Sequence, residues 1–179
     1  MFVSLRRFIG LQISLLHFRK STNPVISFGA ALTDAKRLLL VMPLGEARTI
    51  PTLTIVDLVK KKFDERNITV LATDHAVEAM RLLPRGQFIH ILKEEINPLF
   101  IPQKQLINRI RERSYDVAID LSLDFLLPSA YIVKESEARV RIGFSRQYAD
   151  TFYNFQIHSN PDLDPKLIYN RLAECLAMF

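Results

Sequence analysis

The sequence predicts an α/β fold: a single Rossmann-like, doubly wound parallel sheet preceded by an amphipathic helix. Three observations lead to this prediction. Short apolar runs alternate repeatedly with segments of helical period along the chain. The strongest runs are continuous, as in strands that are buried on both faces of a parallel sheet. About 20 residues separate the runs that begin at Val117 and Val140, which leaves room for a crossover helix.

The predicted elements follow from these runs and from the turn residues between them. Pro84 and Gly86 end one helix, and the prolines of 93–102 indicate a loop. Asp124 is expected to begin another helix, because aspartate often caps helix N-termini. The predicted strands lie at 38–42, 68–72, 88–92, 117–121, from Val140, and at 155–157. The predicted helices lie at 52–63, 74–83, 103–113, from Asp124, and at 166–178.

Three segments are expected along the chain. Residues 1–22 form a basic amphipathic helix, which ends before Pro24 because proline cannot continue it. Residues 23–35 form a linker of mostly small side chains, and 36–179 form the α/β domain. A chain of this length usually holds one domain, and its apolar content of 49% allows a sizeable core.

The positive charge is concentrated at the N-terminus. The net charge of the chain is +5, and residues 1–33 contribute +4 because they contain four basic residues and no acid. A nucleic-acid-binding domain would spread its lysines and arginines over a folded surface, so no nucleic-acid partner is expected. The basic segment favours acidic or membrane-associated partners instead.

The N-terminal segment is amphipathic, with Gly10, Ser14 and His17 on a polar arc and a wide apolar side. Its apolar runs are too short for a transmembrane helix and too interrupted for a secretory signal. An interfacial helix that binds a membrane or a protein partner fits best, while a helix that covers the domain's own core remains open. The residues expected to make this contact are Phe2, Leu5, Arg6, Arg7, Ile9, Ile13, Leu16, Arg19 and Lys20.

Other candidate chemistry is sparse. Cys175 is the single cysteine, so an internal disulfide is excluded and a buried, inert thiol is expected. His75, His90 and His158 are scattered without metal-ligand spacing, and neither a metal nor a cofactor is expected. Ser122 and Ser129 belong to no recognisable nucleophile motif.

Aspartates cluster around one predicted strand. Asp120 and Asp124 follow its carboxyl end, the edge at which α/β domains bind ligands. The alternative interpretation is that Asp116, Asp120 and Asp124 are strand-end and helix-capping carboxylates.

The chain resembles the N-terminal half of the ADP-heptose:lipopolysaccharide heptosyltransferase family (glycosyltransferase family nine) over roughly residues 36–178. Four segments in order carry the resemblance: Pro-Leu-Gly-Glu at 43–46, Ile-Thr-Val-Leu at 68–71, Tyr-Asp-Val-Ala-Ile-Asp-Leu at 115–121 and Ala-Arg-Val-Arg-Ile-Gly-Phe at 138–144. The resemblance implies one half of a GT-B enzyme, whose N-terminal domain holds the acceptor sugar. It also implies that Glu46, which follows Gly45, occupies the position of the family's presumed general base, an aspartate. Gly45 and the sheet-edge residues Asp120 and Asp124 are the candidate acceptor-site residues.

The family's donor-binding residues would lie beyond Phe179, so this chain alone is not expected to bind a nucleotide-sugar. Two functions follow as expectations. The first is a non-catalytic accessory or scaffold subunit that binds protein partners at the cytoplasmic face of a bacterial membrane. The second is the acceptor-binding half of a split glycosyltransferase, completed by another chain, with Glu46 as its base.

Overall fold

The strands form one parallel sheet in the order β3-β2-β1-β4-β5-β6. The computed structural model describes residues 2–21, 23, 25–43, 50–73, 77–160 and 162–178. Every neighbouring pair of strands is parallel, which confirms the predicted doubly wound sheet. The strands are β1 (Leu38–Val41), β2 (Ile68–Ala72), β3 (Gln87–His90), β4 (Val117–Asp120), β5 (Val140–Phe144) and β6 (Phe155–Ile157).

The chain begins the sheet at its centre and adds strands first on one side and then on the other. The chain passes from β1 to β2 and β3 in one direction, and then from β4 to β5 and β6 in the other. Strand β1 therefore pairs with both β2 and β4, with Leu38 opposite Ile68 on one side and Val117 on the other. The carboxyl ends of β1 and β4 form the switch point, the place where such sheets usually bind ligands.

Helices cover both faces of this sheet. Helices α1, α5 and α6 contribute to the core on one face, and α2, α3, α4 and α7 contribute to the core on the other. The helices are α1 (Phe2–Phe18), α2 (Phe28–Thr33), α3 (Leu53–Lys62), α4 (Val77–Leu82), α5 (Lys104–Arg111), α6 (Leu127–Glu135) and α7 (Pro165–Ala177).

The central strands are apolar on both sides because each face packs against helices. Leu38 and Leu40 point into one core, while Leu39 and Val41 point into the other, and all four side chains are inaccessible to solvent. Burying a side chain of this kind stabilises the fold by about 1.5–3 kcal/mol.

Two elements differ from the sequence predictions. The segment expected to be a linker contains α2, whose Ala31 and Leu32 are buried in the core. Helix α6 begins at Leu127 rather than at Asp124, because Leu126 has an extended backbone and Pro128 lies in the first helical turn. Proline is favoured there, since the first turn has no intrahelical use for its N–H group.

Candidate functional site

Helix α1 packs against the α/β body through a face of small and apolar side chains. Gly10 and Ser14 are buried one turn apart, together with Leu11 and Phe18. The Ser14 hydroxyl donates to the Gly10 carbonyl oxygen at 2.8 Å, so it needs no partner on the body. The absence of a side chain at Gly10 brings the helix against the backbone of Leu99.

The C-terminal turn of α1 is held by one buried carboxylate. His17 Nε2 lies 3.2 Å from Glu135 Oε1 of α6, and the Arg111 guanidinium of α5 donates to Glu135 Oε2 at 2.6 Å. The Phe18 ring lies beside the Tyr131 ring, with centroids 4.9 Å apart. Glu135 therefore joins three helices at a single point.

The opposite side of α1 carries an exposed apolar stripe, which we call the outer stripe. Phe2 is 75% exposed and Leu16 is 68% exposed, although both are large apolar side chains. Spacings of three and four residues place its members on one face of the helix. The outer stripe comprises Phe2, Leu5, Ile9, Ile13 and Leu16.

Basic side chains accompany the outer stripe. Arg6, Arg7, Arg19 and Lys20 are all exposed. The Arg7 guanidinium lies 4.9 Å from the centre of the Phe100 ring, a distance suited to a cation–π contact. Because α1 contains no acidic residue, its outer surface is both apolar and positively charged.

The structure shows which face of α1 packs against the body and which face is exposed. The helix does cover part of the domain's own core, but it does so with the face that contains Gly10 and Ser14. Its wide apolar side points away from the body. The residues expected to bind a partner or a membrane are therefore at the surface, and their binding role stays a prediction.

The segment after α1 is tied to β5 by a buried arginine. Arg141 is 5% exposed, and its guanidinium donates to Asn23 Oδ1, to the Phe152 carbonyl at 3.1 Å and to the Ala138 carbonyl at 2.8 Å. Lys134 Nζ also donates to Asn23 Oδ1, at 3.3 Å. Burial, with a smaller effect of the nearby Arg141, lowers the pKa of Lys134 to about 8.

At the switch point, Asp120 is turned into the protein. Its side chain accepts hydrogen bonds from the Tyr153 hydroxyl at 2.7 Å and from the Ser122 backbone N–H at 2.8 Å. Burial raises its pKa to about 6, and these two hydrogen bonds oppose the rise. The Tyr153 ring lies directly over Gly143 of β5, where no side chain intervenes. In this arrangement, Asp120 anchors the segment that contains Tyr153.

The other aspartates of this strand differ in their surroundings. Asp116 Oδ2 accepts hydrogen bonds from the backbone N–H groups of Lys36 and Arg37, at 2.8 and 2.9 Å, and so fixes the entry to β1. Asp124 is exposed beyond the end of β4. Two of the predicted site residues, Gly45 and Glu46, lie outside the described residues.

The histidines and the cysteine form no common site in the described part of the chain. His90 ends β3, and His158 follows β6 at the other side of the sheet. His75 lies outside the described residues. Cys175 is partly buried on α7, and burial raises the pKa of its thiol. No group of three metal-binding side chains occurs among the described residues.

Three features of the structure are not predicted by the sequence. The sequence indicates no role for Arg141 or Tyr153, because a hydrogen bond to a main-chain carbonyl or to a distant carboxylate has no local sequence signal. It places Gly10 and Ser14 on a polar arc. Small residues four positions apart are also a signal for close helix packing, and this signal identifies the face that packs.

No helix in the described ranges is long and apolar enough to span a bilayer. Helix α1, which carries the outer stripe, has 17 residues.

The sequence model of a family of unknown function (DUF6913) matches residues 44–179. No curated protein matches the chain.

Solved glycosyltransferase structures have a similar fold. E. coli heptosyltransferase WaaC with ADP-2-deoxy-2-fluoro heptose is 14% identical, with a TM-score of 0.60 over 80% of this chain and 49% of that chain. The family nine glycosyltransferase from Veillonella parvula is 15% identical, with a TM-score of 0.58 over 88% of this chain and 44% of that one. The chain thus spans about half the length of these proteins. The resemblance noted in the sequence is confirmed at the level of the fold.

Proposed function

This chain belongs to DUF6913, a family of unknown function, and we propose that it is a non-catalytic accessory subunit bound to an anionic membrane surface through α1. On this proposal, the outer stripe enters the interfacial region of the lipid. The α/β body remains in the aqueous phase, where it binds protein partners.

The observation that carries the proposal is the outward orientation of the outer stripe. A helix that served only to complete the core would bury its large apolar side chains. Helix α1 buries Leu11 and Phe18 beside Gly10 and Ser14, but it leaves the whole outer stripe exposed. Amphipathic helices with basic flanks bind membrane interfaces through such a face, and the affinity grows with the apolar area that they bury. Contiguous exposed apolar surface of this kind marks an interaction site.

The charge of α1 and of the two residues that follow it favours an anionic lipid surface over a neutral one. Arg6, Arg7, Arg19 and Lys20 are exposed, and each basic residue near an anionic leaflet contributes about 1 kcal/mol to binding. The cytoplasmic leaflet carries such charge, which supports a location at the cytoplasmic face of a bacterial membrane.

Among the described residues at the switch point, Asp120 has a structural role, which is consistent with an accessory function. Asp120, the carboxylate at the switch point, is 1% exposed and accepts hydrogen bonds from two protein groups. A general base must reach the proton that it removes, and Asp120 in this orientation does not reach the surface. A fold of this type is reused for many functions, so its likeness to transferases does not by itself imply catalysis.

Vesicle co-sedimentation tests the membrane contact. We expect the protein to bind phosphatidylglycerol vesicles and to bind phosphatidylcholine vesicles weakly, with affinity falling as salt rises because exposed charges are screened. The double variant Ile9→Ser with Leu16→Ser should weaken binding to the anionic vesicles by about tenfold or more. The matched control is Leu167→Ser, an exposed apolar position on α7. Anionic-vesicle binding that is equal in the wild type and the double variant would contradict the proposal.

Purification from native membranes in mild detergent tests the accessory role. The protein should emerge in a complex with other subunits, and a free monomer would exclude this role even if vesicle binding were confirmed.

The fold likeness favours a second candidate, the acceptor-binding half of a split glycosyltransferase with Glu46 as general base. The matched transferase chains are about twice as long as the part that this chain covers, and a second chain would supply the donor site. A Glu46→Gln change in the native cell separates the candidates. Altered surface glycolipid with unchanged complex assembly would favour the split enzyme, and unchanged glycolipid would favour the accessory subunit.

A further inference from the structure

Two apolar cavities flank the N-terminal half of α1. The larger has a volume of about 460 Å³ and lies between Val3 of α1, the loop that follows β3 and the first turn of α6. The smaller, of about 230 Å³, lies on the other side of Phe100 and Pro128, which line both cavities. The first turns of α1 are therefore less closely packed on the body than the turn that contains Gly10.

The larger cavity combines an apolar wall with two cations. Its apolar lining includes Ile91, Ile96 and Phe100, and its basic residues are Arg6 and Lys93. No acidic side chain is among the described residues that line it. A cavity of 300–1,000 Å³ is the usual size of a small-molecule site, and this lining matches a ligand with an apolar chain and a negative head.

The loop that forms the floor of the cavity is held in shape by its own hydrogen bonds. Asn97 Oδ1 accepts from the backbone N–H groups of Leu99 and Ile101, at 2.9 and 3.0 Å. The Phe100 N–H donates to the Asn97 carbonyl at 2.9 Å. The floor is therefore preformed, which lowers the cost of binding a ligand.

Phe100 has a left-handed backbone conformation, with φ of 64°. For a bulky residue this conformation costs about 1–3 kcal/mol, and such strain persists where the surrounding structure enforces it, often at binding sites. In this position the Phe100 ring separates the two cavities and lies beneath Arg7.

We propose that the larger cavity binds the hydrocarbon chain of a fatty acid, with Arg6 and Lys93 contacting its carboxylate. The inference rests on the proposed function, since α1 would hold the cavity mouth beside the membrane from which such a ligand partitions. One chain fits the cavity better than a two-chain lipid, because the second cavity is separated from it by Phe100 and Pro128.

Calorimetric titration of the full chain with monomeric laurate tests the inference. We expect saturable binding at one site, and weaker binding of dodecanol, which has the same chain without the charge. Lys93→Gln should weaken laurate binding about fivefold, whereas Lys36→Gln, at an exposed position away from the cavity, should leave it unchanged.

Filling the cavity provides a second test. Val3→Trp and Ile96→Trp each place a larger side chain at the cavity wall, and Val3 is exposed, so its variant should fold. Each should weaken laurate binding about tenfold or more. Absent laurate binding, equal binding of dodecanol, or unchanged binding by the folded Val3→Trp variant would each overturn the inference.

Different variants test the fatty-acid site and the membrane contact, so either proposal can fail without the other. Lys93→Gln and Ile96→Trp leave the outer stripe intact and should retain binding to phosphatidylglycerol vesicles. The variant Ile9→Ser with Leu16→Ser should lose that binding while it retains laurate. A wild-type protein that binds phosphatidylglycerol vesicles but not laurate would reject the cavity as a fatty-acid site and leave the membrane contact standing.

Discussion

A Cβ atom added at Gly10 would lie 1.9 Å from the carbonyl oxygen of Leu99. This distance is far inside van der Waals contact, and the obstacle is backbone rather than a flexible side chain. At this contact the backbone of α1 lies against the backbone of Leu99, so the position requires glycine for reasons of space.

Gly10→Ala should therefore destabilise the protein by about 1–3 kcal/mol, because α1 must move away from Leu99. The sign of this change in stability is informative, because a Gly→Ala substitution in an unobstructed helix stabilises the protein by up to about 1 kcal/mol. Urea unfolding measures the difference. Leu16→Ala, on the exposed side of the same helix, should change stability by no more than about 0.5 kcal/mol. A Gly10→Ala protein as stable as the wild type would show that α1 does not pack in this way.

Asp120 should make stability depend on pH in a defined direction. Its pKa is raised from 3.8 to about 6 by burial, so the folded state favours the protonated carboxyl. The resulting stabilisation is complete below about pH 4 and is lost as the pH rises through 6, a total of roughly 3 kcal/mol. Relative to Asp120→Asn, the wild type should lose this amount between pH 4 and 7 in unfolding titrations.

Two further variants check the assignment to Asp120. Asp57→Asn, at an exposed site on α3, should keep the pH dependence of the wild type. Tyr153→Phe removes a hydrogen bond that lowers the pKa of Asp120, so the loss of stability should move to higher pH. An identical pH profile in the wild type and Asp120→Asn would refute the prediction.

Arg141→Lys should cost about 2–4 kcal/mol, because an ammonium group cannot reproduce three separated hydrogen bonds made by a buried guanidinium. Arg139→Lys is the matched control, since Arg139 is exposed two positions away in the chain. Asn23→Ala removes one of the three acceptors and should cost about 1 kcal/mol. In a double-mutant cycle, the two costs should be non-additive, because the residues share a hydrogen bond. Full additivity would mean that Asn23 and Arg141 do not interact in solution.

Glu135→Gln should destabilise the protein by about 1–3 kcal/mol, because the buried carboxylate pairs with Arg111 and lies beside His17. Glu137→Gln offers a close comparison. Glu137 pairs with the same arginine at 2.9 Å but is 74% exposed, so its loss should cost no more than about 0.5 kcal/mol. Chemical denaturation of the two variants measures both values, and equal costs would contradict the central role assigned to Glu135.

The sheet could be predicted from the sequence because its strands carry a local signal. Residues 38–41 are apolar without interruption, and both faces of β1 are indeed covered. The sequence does not predict helix α2, because Gly29, Ala30 and Ala31 produce no apolar period. The start of α6 was placed too early, because Asp124 is a common helix cap while Pro128 is the residue that begins the helix.

The orientation of α1 could not be predicted, because amphipathicity identifies two faces without stating which one meets the body. An apolar side is usually the buried side, and here apolar side chains lie on both sides: Leu11 and Phe18 are buried, while the outer stripe is exposed. Likewise, Asp120 was identified as a residue of the ligand-binding edge. Its inward orientation depends on Tyr153, which is 33 residues away in the chain.

The attachments of α1 are unequal at its two ends. The described residues of its first two turns donate no hydrogen bond to the body, whereas His17 contacts Glu135 and the following Asn23 is bound by Arg141. The N-terminal end of α1 is therefore attached to the body less firmly than its C-terminal end, and it should separate from the body first. We expect backbone amides near Phe2 to exchange with deuterium sooner than those near Phe18, because a less firmly attached helix end opens more readily.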